Sequence, residues 1–149
     1  MKGIITLCFI ALTSLVIAQS NYEKGMRKAF SLWEEGELDQ AENLFERIAK
    51  AEKDNWLPHY YIAQINSLKS WDVTDETVIS SQLKKAQEHL DIAMSLSENN
   101  PELMVIQAQV LTNWIAYDGR TYGMKYSAKI TELYNKALAI APKNPRVAF

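Results

Sequence analysis

A helical pattern that repeats every 44 or 45 residues is the feature of this sequence that most restricts its fold. The large side chains Phe45, Leu90 and Tyr134 are 45 and 44 residues apart, and three asparagines keep the same two spacings. These asparagines are Asn55, Asn100 and Asn144. Repeats of this length are typical of arrays in which each helical unit packs against the next unit along the chain. We therefore expect repeated helical units.

Apolar residues recur every three or four positions through each repeat, which predicts amphipathic helices with one buried face. The clearest stripes are Ile79, Leu83, Ala86, Leu90 and Ala93, and Tyr126, Ile130, Leu133, Ala137 and Ile140. No segment shows the alternation of a half-buried strand. The predicted helices lie near 21–34, 38–51, 56–70, 75–97, 101–117 and 122–141. They pair into three hairpins of about 34, 45 and 44 residues.

Small residues at the hairpin positions resemble the tetratricopeptide repeat family. In the first unit Ala29 precedes Ala41 by twelve residues, Gly36 lies at the turn, and Phe45 follows Ala41 by four. The equivalent positions are Ala63, Ala86, Leu90 and Ala93 in the second unit, and Ala108, Tyr134, Ala137 and Pro142 in the third. The resemblance implies an all-α fold, an α-solenoid of antiparallel helix hairpins with about three repeats. The chain also resembles exported bacterial proteins of this type.

The second and third hairpins are longer than the family's unit. Ala63 and Ala86 are 23 residues apart instead of twelve, and a similar excess separates Ala108 from Tyr134. The extra residues fall around 71–75 and 117–121, where longer helices would meet at a displaced turn. A period near 44 also suits HEAT or armadillo-like repeats, which remain the alternative.

The first 18 residues are typical of a secretory signal peptide. A basic start at Lys2 is followed by an uncharged run over 4–17 and by Ala18 at the cleavage position. The run of about 14 residues is shorter than the roughly 20 that span a bilayer. We therefore predict a signal peptide over 1–18, a repeat domain over 19–149, and a periplasmic or secreted protein with no membrane span after cleavage.

Composition excludes several classes of function. Cys8, the only cysteine, lies in the leader, so the mature chain has no disulfide and no thiol nucleophile. Loss of Lys2 with the leader changes the formal net charge from −2 to −3. Because the chain is weakly acidic and has no basic block, we expect no binding of nucleic acid.

No set of residues has the spacing of a catalytic or metal site. His59 and His89 are 30 residues apart and lack a metal-binding pattern, although they could meet across a hairpin. The paired acidic residues lie mostly at helix ends, where they stabilise the helix dipole. No glycine-rich phosphate loop is present. We expect a protein that is not an enzyme, with no metal and no cofactor.

The family resemblance implies a concave groove lined by the first helix of each hairpin. Carried onto this sequence, the partner-binding residues are Met26, Phe30, Trp33, Tyr60, Gln64, Gln109 and Asn113. Aromatics supply apolar contact area and amides pair with a ligand backbone. We expect an exported protein-interaction scaffold that binds a peptide or a partner protein. The alternative is a helical-repeat carbohydrate-binding or glycan-processing envelope protein, and a purely structural assembly subunit is a third possibility.

The last hairpin lacks a capping helix after its apolar stripe. Pro145 stands at the same junction as Pro101, and Phe149 follows four residues later. Helical arrays normally end in a unit with a polar outer face. The sequence therefore predicts that the domain is truncated at its C-terminal end, or that a partner or a second copy covers that face.

Cleavage of the leader is directly testable. When the gene is expressed in a Gram-negative host, the exported protein should begin at Gln19, because the small-residue pattern ends at Ala18. Intact-mass analysis of the purified protein measures this. A chain that keeps residues 1–18 in the exported fraction would contradict the prediction.

Overall fold

The computed structural model describes residues 21–71 and 73–147, and over these residues the chain is helical with no β-strand. This confirms the all-α class. The predicted leader, 1–18, lies outside the described residues. The chain divides between Glu52 and Lys53 into two compact units. Throughout the described part, every helix is too short or too polar to cross a membrane.

Over residues 21–52, the described part of the first unit forms a helix hairpin. Helix α1 covers residues 21–34 and α2 spans Leu38–Ala51. Gly36 forms the turn with a φ of 84°, a left-handed conformation that glycine adopts without steric cost. The N–H of Glu37 donates to the carbonyl of Leu32 at 2.9 Å, as in a Schellman motif. The buried core of this hairpin contains Ala29, Ala41 and Phe45, as the repeat pattern predicts.

The described residues of the second unit form four helices, α3 (Trp56–Lys69), α4 (Glu76–Leu96), α5 (Pro101–Tyr117) and α6 (Gly119–Ile140). Helix α3 packs on α4 and α5 packs on α6, while α5 also contacts α3 and α4. Helices α4 and α6 have 21 and 22 residues, whereas α3 has 14. The extra length of the second and third repeats therefore lies mainly in the second helix of each pair.

The periodic asparagines share one local structure. Asn55 caps α3 and Asn100 caps α5, each accepting at 3.0 Å from the backbone N–H two residues later. Asn144 accepts in the same way from the N–H of Arg146 at 2.9 Å. An asparagine at this position satisfies a backbone donor that the first helical turn leaves without a partner. The spacing of the asparagines in the sequence therefore marks three positions with the same capping geometry. Two of them begin α3 and α5, and the third begins the turn after α6.

Helix α6 begins three residues earlier than predicted. The Asp118 carboxylate accepts from the N–H groups of Arg120 at 3.0 Å and Thr121 at 3.1 Å, so the helix starts at Gly119 instead of residue 122. Hydrogen bonds from Thr121 and Arg120 lower the pKa of the Asp118 carboxyl. One residue thus joins α5 to α6, because the same aspartate ends one helix and caps the next.

The apolar core between α5 and α6 includes a residue from the segment that follows α6. Its buried members are Met104, Ala108, Leu111, Leu133, Ala137 and Val147. Val147 is only 1% exposed. The stripe of α6 that the sequence leaves uncapped is therefore partly covered by the chain itself, although Ile140 at its end is 48% exposed.

A buried amide aligns the ends of α3 and α5. The Nδ2 group of Asn113 donates to the Ser67 carbonyl at 2.8 Å and lies within 3.0 Å of the hydroxyls of Ser67 and Ser70. Because a carbonyl can only accept, the nitrogen of the amide must face Ser67. Asn113 is 4% exposed, so these hydrogen bonds are shielded from water.

Removing the Asn113 amide should destabilise the protein. Asn113→Ala removes this donor, while the Ser67 carbonyl still accepts from the Ser70 hydroxyl at 2.7 Å, so we expect the free energy of unfolding to fall by about 0.5–1.5 kcal/mol. Urea unfolding measures the change. Gln109→Ala, at a half-buried position one turn earlier, is the matched control and should change stability by less than about 0.5 kcal/mol. Equal effects of the two substitutions would show that the buried amide contributes nothing specific.

Candidate functional site

The second unit contains a groove of about 710 Å³ between the end of α4, helix α5 and helix α6. Its apolar lining includes Met94, Leu103, Met104, Leu111, Tyr126 and Leu133. Its polar lining consists of Ser97, Glu98, Asn99, Asn100, Gln107, Lys125, Lys129, Glu132 and Lys136. A concave, partly apolar surface with a few converging polar groups is the usual form of a ligand site.

Three lysines give the α6 side of the groove its charge. Lys125, Lys129 and Lys136 are spaced by four and seven residues, which places them on one face of the helix. Lys129 pairs with Glu132 at 3.0 Å, and the Lys125 ammonium lies 4.9 Å from the centre of the Tyr126 ring. Glu98 is the acidic residue among the groove residues from the turn after α4. Positive charge is therefore concentrated on one side.

A pair of amides crosses the contact between α4 and α5 beside the groove. The Nε2 of Gln87 donates to the Oε1 of Gln107 at 2.8 Å, and the reverse hydrogen bond has the same length. Gln87 also donates to the Asp91 carboxylate at 2.8 Å. Because Gln107 lines the groove, this reciprocal pair holds a polar group at a fixed position among apolar side chains.

The groove residues predicted in the first unit contribute mainly to its core. Met26 is buried, and Phe30 and Trp33 are partly buried. The rings of Phe30 and Trp33 meet the Phe45 ring edge to face, with centroids 5.5 and 6.4 Å away. Edge-to-face aromatic pairs of this kind stabilise a core. Their role in binding a partner stays a prediction.

The groove residues predicted in the second unit lie on α3 and α5. Tyr60 and Asn113 are buried, whereas Gln64 and Gln109 are partly exposed. Burial raises the pKa of Tyr60 to about 12, and the charge of Glu102 acts in the same direction. None of these four residues lines the 710 Å³ groove. The two surfaces are therefore different candidates for partner binding.

The lysine-bearing groove was not predicted from the sequence. The signal available was the alignment of Lys125, Lys129 and Lys136 on one face of α6, next to the apolar stripe of Leu133. Periodicity alone does not distinguish such a row from an ordinary solvated helix face. The groove exists because α4 and α6 both pack on α5 and leave a space between them.

The two histidines meet across the first hairpin of the second unit. The Nδ1 atoms of His59 and His89 are 2.9 Å apart, so one ring donates a proton and the other accepts it. Burial lowers the pKa of His59. Two charged imidazoles would place two N–H donors against each other, and the contact therefore requires that at least one ring is neutral.

Within residues 21–71 and 73–147, no group of three or more His, Cys, Asp or Glu side chains is placed to hold a metal ion. Comparison of the chain with protein-family models, curated proteins and solved structures finds no match.

The histidine contact predicts a loss of stability in mild acid. The lowered pKa of His59 means that the unfolded chain, with an ordinary pKa of 6.5, binds the proton more readily than the folded chain does. The free energy of unfolding should therefore be highest above about pH 7.5 and fall as pH decreases through about 6.5 towards the folded pKa.

Urea unfolding between about pH 7.5 and pH 5.5 measures this dependence. His59→Gln removes the titrating group but keeps a hydrogen-bonding side chain, so the slope should decrease. A variant whose stability depends on pH as strongly as that of the wild type would rule out His59 as the source.

Proposed function

We propose that this chain is a non-catalytic protein-interaction module that binds a peptide segment of a partner in the groove between α4, α5 and α6. The observation that carries the proposal is the combination of an apolar lining with three lysines on one face of α6. Apolar side chains of the peptide would occupy the space beside Leu103, Met104 and Leu133. Acidic side chains would pair with the lysines.

The helix geometry suggests a spacing for the acidic residues. Lys125 and Lys136 are 11 residues apart in α6, which corresponds to about 16 Å at a rise of 1.5 Å per residue. An extended peptide covers this distance in about five residues. We therefore favour a peptide with two acidic residues about five positions apart and apolar residues between them.

The proposal also covers the repeat architecture and the location of the protein. We suggest that the hairpins form a tetratricopeptide-like solenoid in an exported protein, located in the periplasm or outside the cell. The support for the repeat is the packing of α3 on α4 and of α5 on α6, together with the equivalent asparagines at 55, 100 and 144. The support for export is the leader pattern of the sequence.

Selection from a random peptide library tests the groove. Peptides enriched on the immobilised wild-type protein should contain apolar and acidic residues. Their Kd should increase at least about tenfold on Lys125→Glu plus Lys136→Glu, since each reversal replaces an attraction with a repulsion. Fluorescence anisotropy measures the affinities.

Two control variants separate this groove from other surfaces. Lys28→Glu plus Lys143→Glu changes the net charge equally at exposed positions outside the groove and should leave the Kd unchanged. Gln64→Ala plus Gln109→Ala tests the surface predicted from the sequence. Loss of binding only in the glutamine variant would transfer the site to α3 and α5. Enrichment of no peptide, with tryptophan fluorescence responding to oligosaccharides, would favour the carbohydrate alternative.

A further inference from the structure

The segment after α6 is held to the start of α5 by one carboxylate. Asn144 donates from Nδ2 to the Oε1 of Glu102 at 3.0 Å, and Arg146 donates from Nη1 to the Oε2 of Glu102 at 2.8 Å. Glu102 thus uses both oxygens on two side chains of the same short segment. The Glu102 side chain is 18% exposed, whereas the Arg146 side chain is 55% exposed, so solvent screens the ion pair from the arginine side.

The same segment also supplies an apolar contact. Val147 is buried in the cluster that contains Met104, Ala108 and Ala137. The backbone of 144–147 forms a turn, in which the N–H of Val147 donates to the Asn144 carbonyl at 3.0 Å. The turn at 144–147 therefore places the Asn144 amide, the Arg146 guanidinium and the Val147 side chain close together. The backbone hydrogen bond from Val147 to Asn144 stabilises this turn.

The surface that receives this turn favours a cation. The hydrogen bond and charge of Glu102 raise the pKa of Arg146, and Tyr61 and Tyr60 lie near its guanidinium. A planar guanidinium matches a carboxylate and stacks on aromatic rings better than an ammonium does. The start of α5 therefore combines an anion, nearby tyrosines and an apolar contact within reach of one turn.

We propose that the start of α5 is a receptor site for arginine-bearing peptide turns, and that residues 144–147 occupy it as a displaceable internal ligand. The partner that fits is a protein segment with asparagine, arginine and a β-branched apolar residue in the order Asn-x-Arg-Val. This site differs from the lysine-bearing groove in the charge that it selects, although Met104 lies both in the lining of that groove and in the cluster that buries Val147. It does not depend on the function proposed for that groove.

The internal segment sets the affinity for an external peptide. Residues 144–147 follow α6 after three residues, so their effective concentration at the site is in the millimolar range. A peptide added in solution must compete with this tethered copy. Substitutions that unseat the segment should therefore expose the site and increase the apparent affinity.

A capped, fluorescent hexapeptide with the sequence Pro-Lys-Asn-Pro-Arg-Val, that of residues 142–147, is the probe. Its binding is measured by anisotropy against the whole protein and against the double variant Arg146→Glu plus Val147→Asp. The double variant should bind the peptide at least about tenfold more tightly than the wild type, because the internal competitor is repelled by Glu102. Adding Glu102→Gln to the double variant should weaken binding at least about fivefold.

Lys143→Glu is the matched control, since it reverses an exposed charge in the same segment and should leave the wild-type affinity unchanged. A peptide with glutamate in place of arginine should not bind. If the double variant does not melt cooperatively, Arg146→Glu alone is compared with the wild type, with an expected gain of at least about threefold. Equal affinity of wild type and variant, equal binding of the two peptides, or no binding at about 1 mM peptide overturns the proposal.

Discussion

Asparagine caps determine where α3 and α5 begin, and the packing of these two helices follows from those starts. Asn55 and Asn100 set the first turns of α3 and α5, whose ends are then aligned closely enough for Asn113 to reach Ser67. Asn144 repeats the geometry after α6. Because the turn at 144 is placed in this way, Val147 reaches the core between α5 and α6.

Apolar periodicity and turn residues in the sequence predicted most of the helices. The bounds of α2 and α5 agree with the apolar periodicity, and Gly36 takes the turn that the sequence assigned to it. The predicted start of α6 was wrong because Asp118 serves both helices: its backbone N–H donates to Trp114 at the end of α5, and its carboxylate caps α6. No separate loop therefore lies between the two helices. The capping residue Asp118 is visible in the sequence, but α5 and α6 share it.

The candidate sites were harder to predict, since they depend on distances between helices. The groove arises from the distance between α4 and α6, which both pack on α5. The periodicity of apolar residues within a helix does not indicate this distance. The contact of His59 with His89 was anticipated as a possibility, but its 2.9 Å length depends on the register of α3 against α4. The burial of Asn113 likewise depends on tertiary packing. From its position on the helix alone, Asn113 could equally have been an exposed residue of a binding groove.

Hydrogen-exchange mass spectrometry, with and without a peptide selected on the protein, tests the central claim most directly. If a partner peptide occupies the groove between α4, α5 and α6, amide exchange should slow in residues 97–107 and 125–136 and stay unchanged in α2. Protection of α1 or α3 without protection of the groove would contradict the account. It would place the partner on the surface that the repeat resemblance implies.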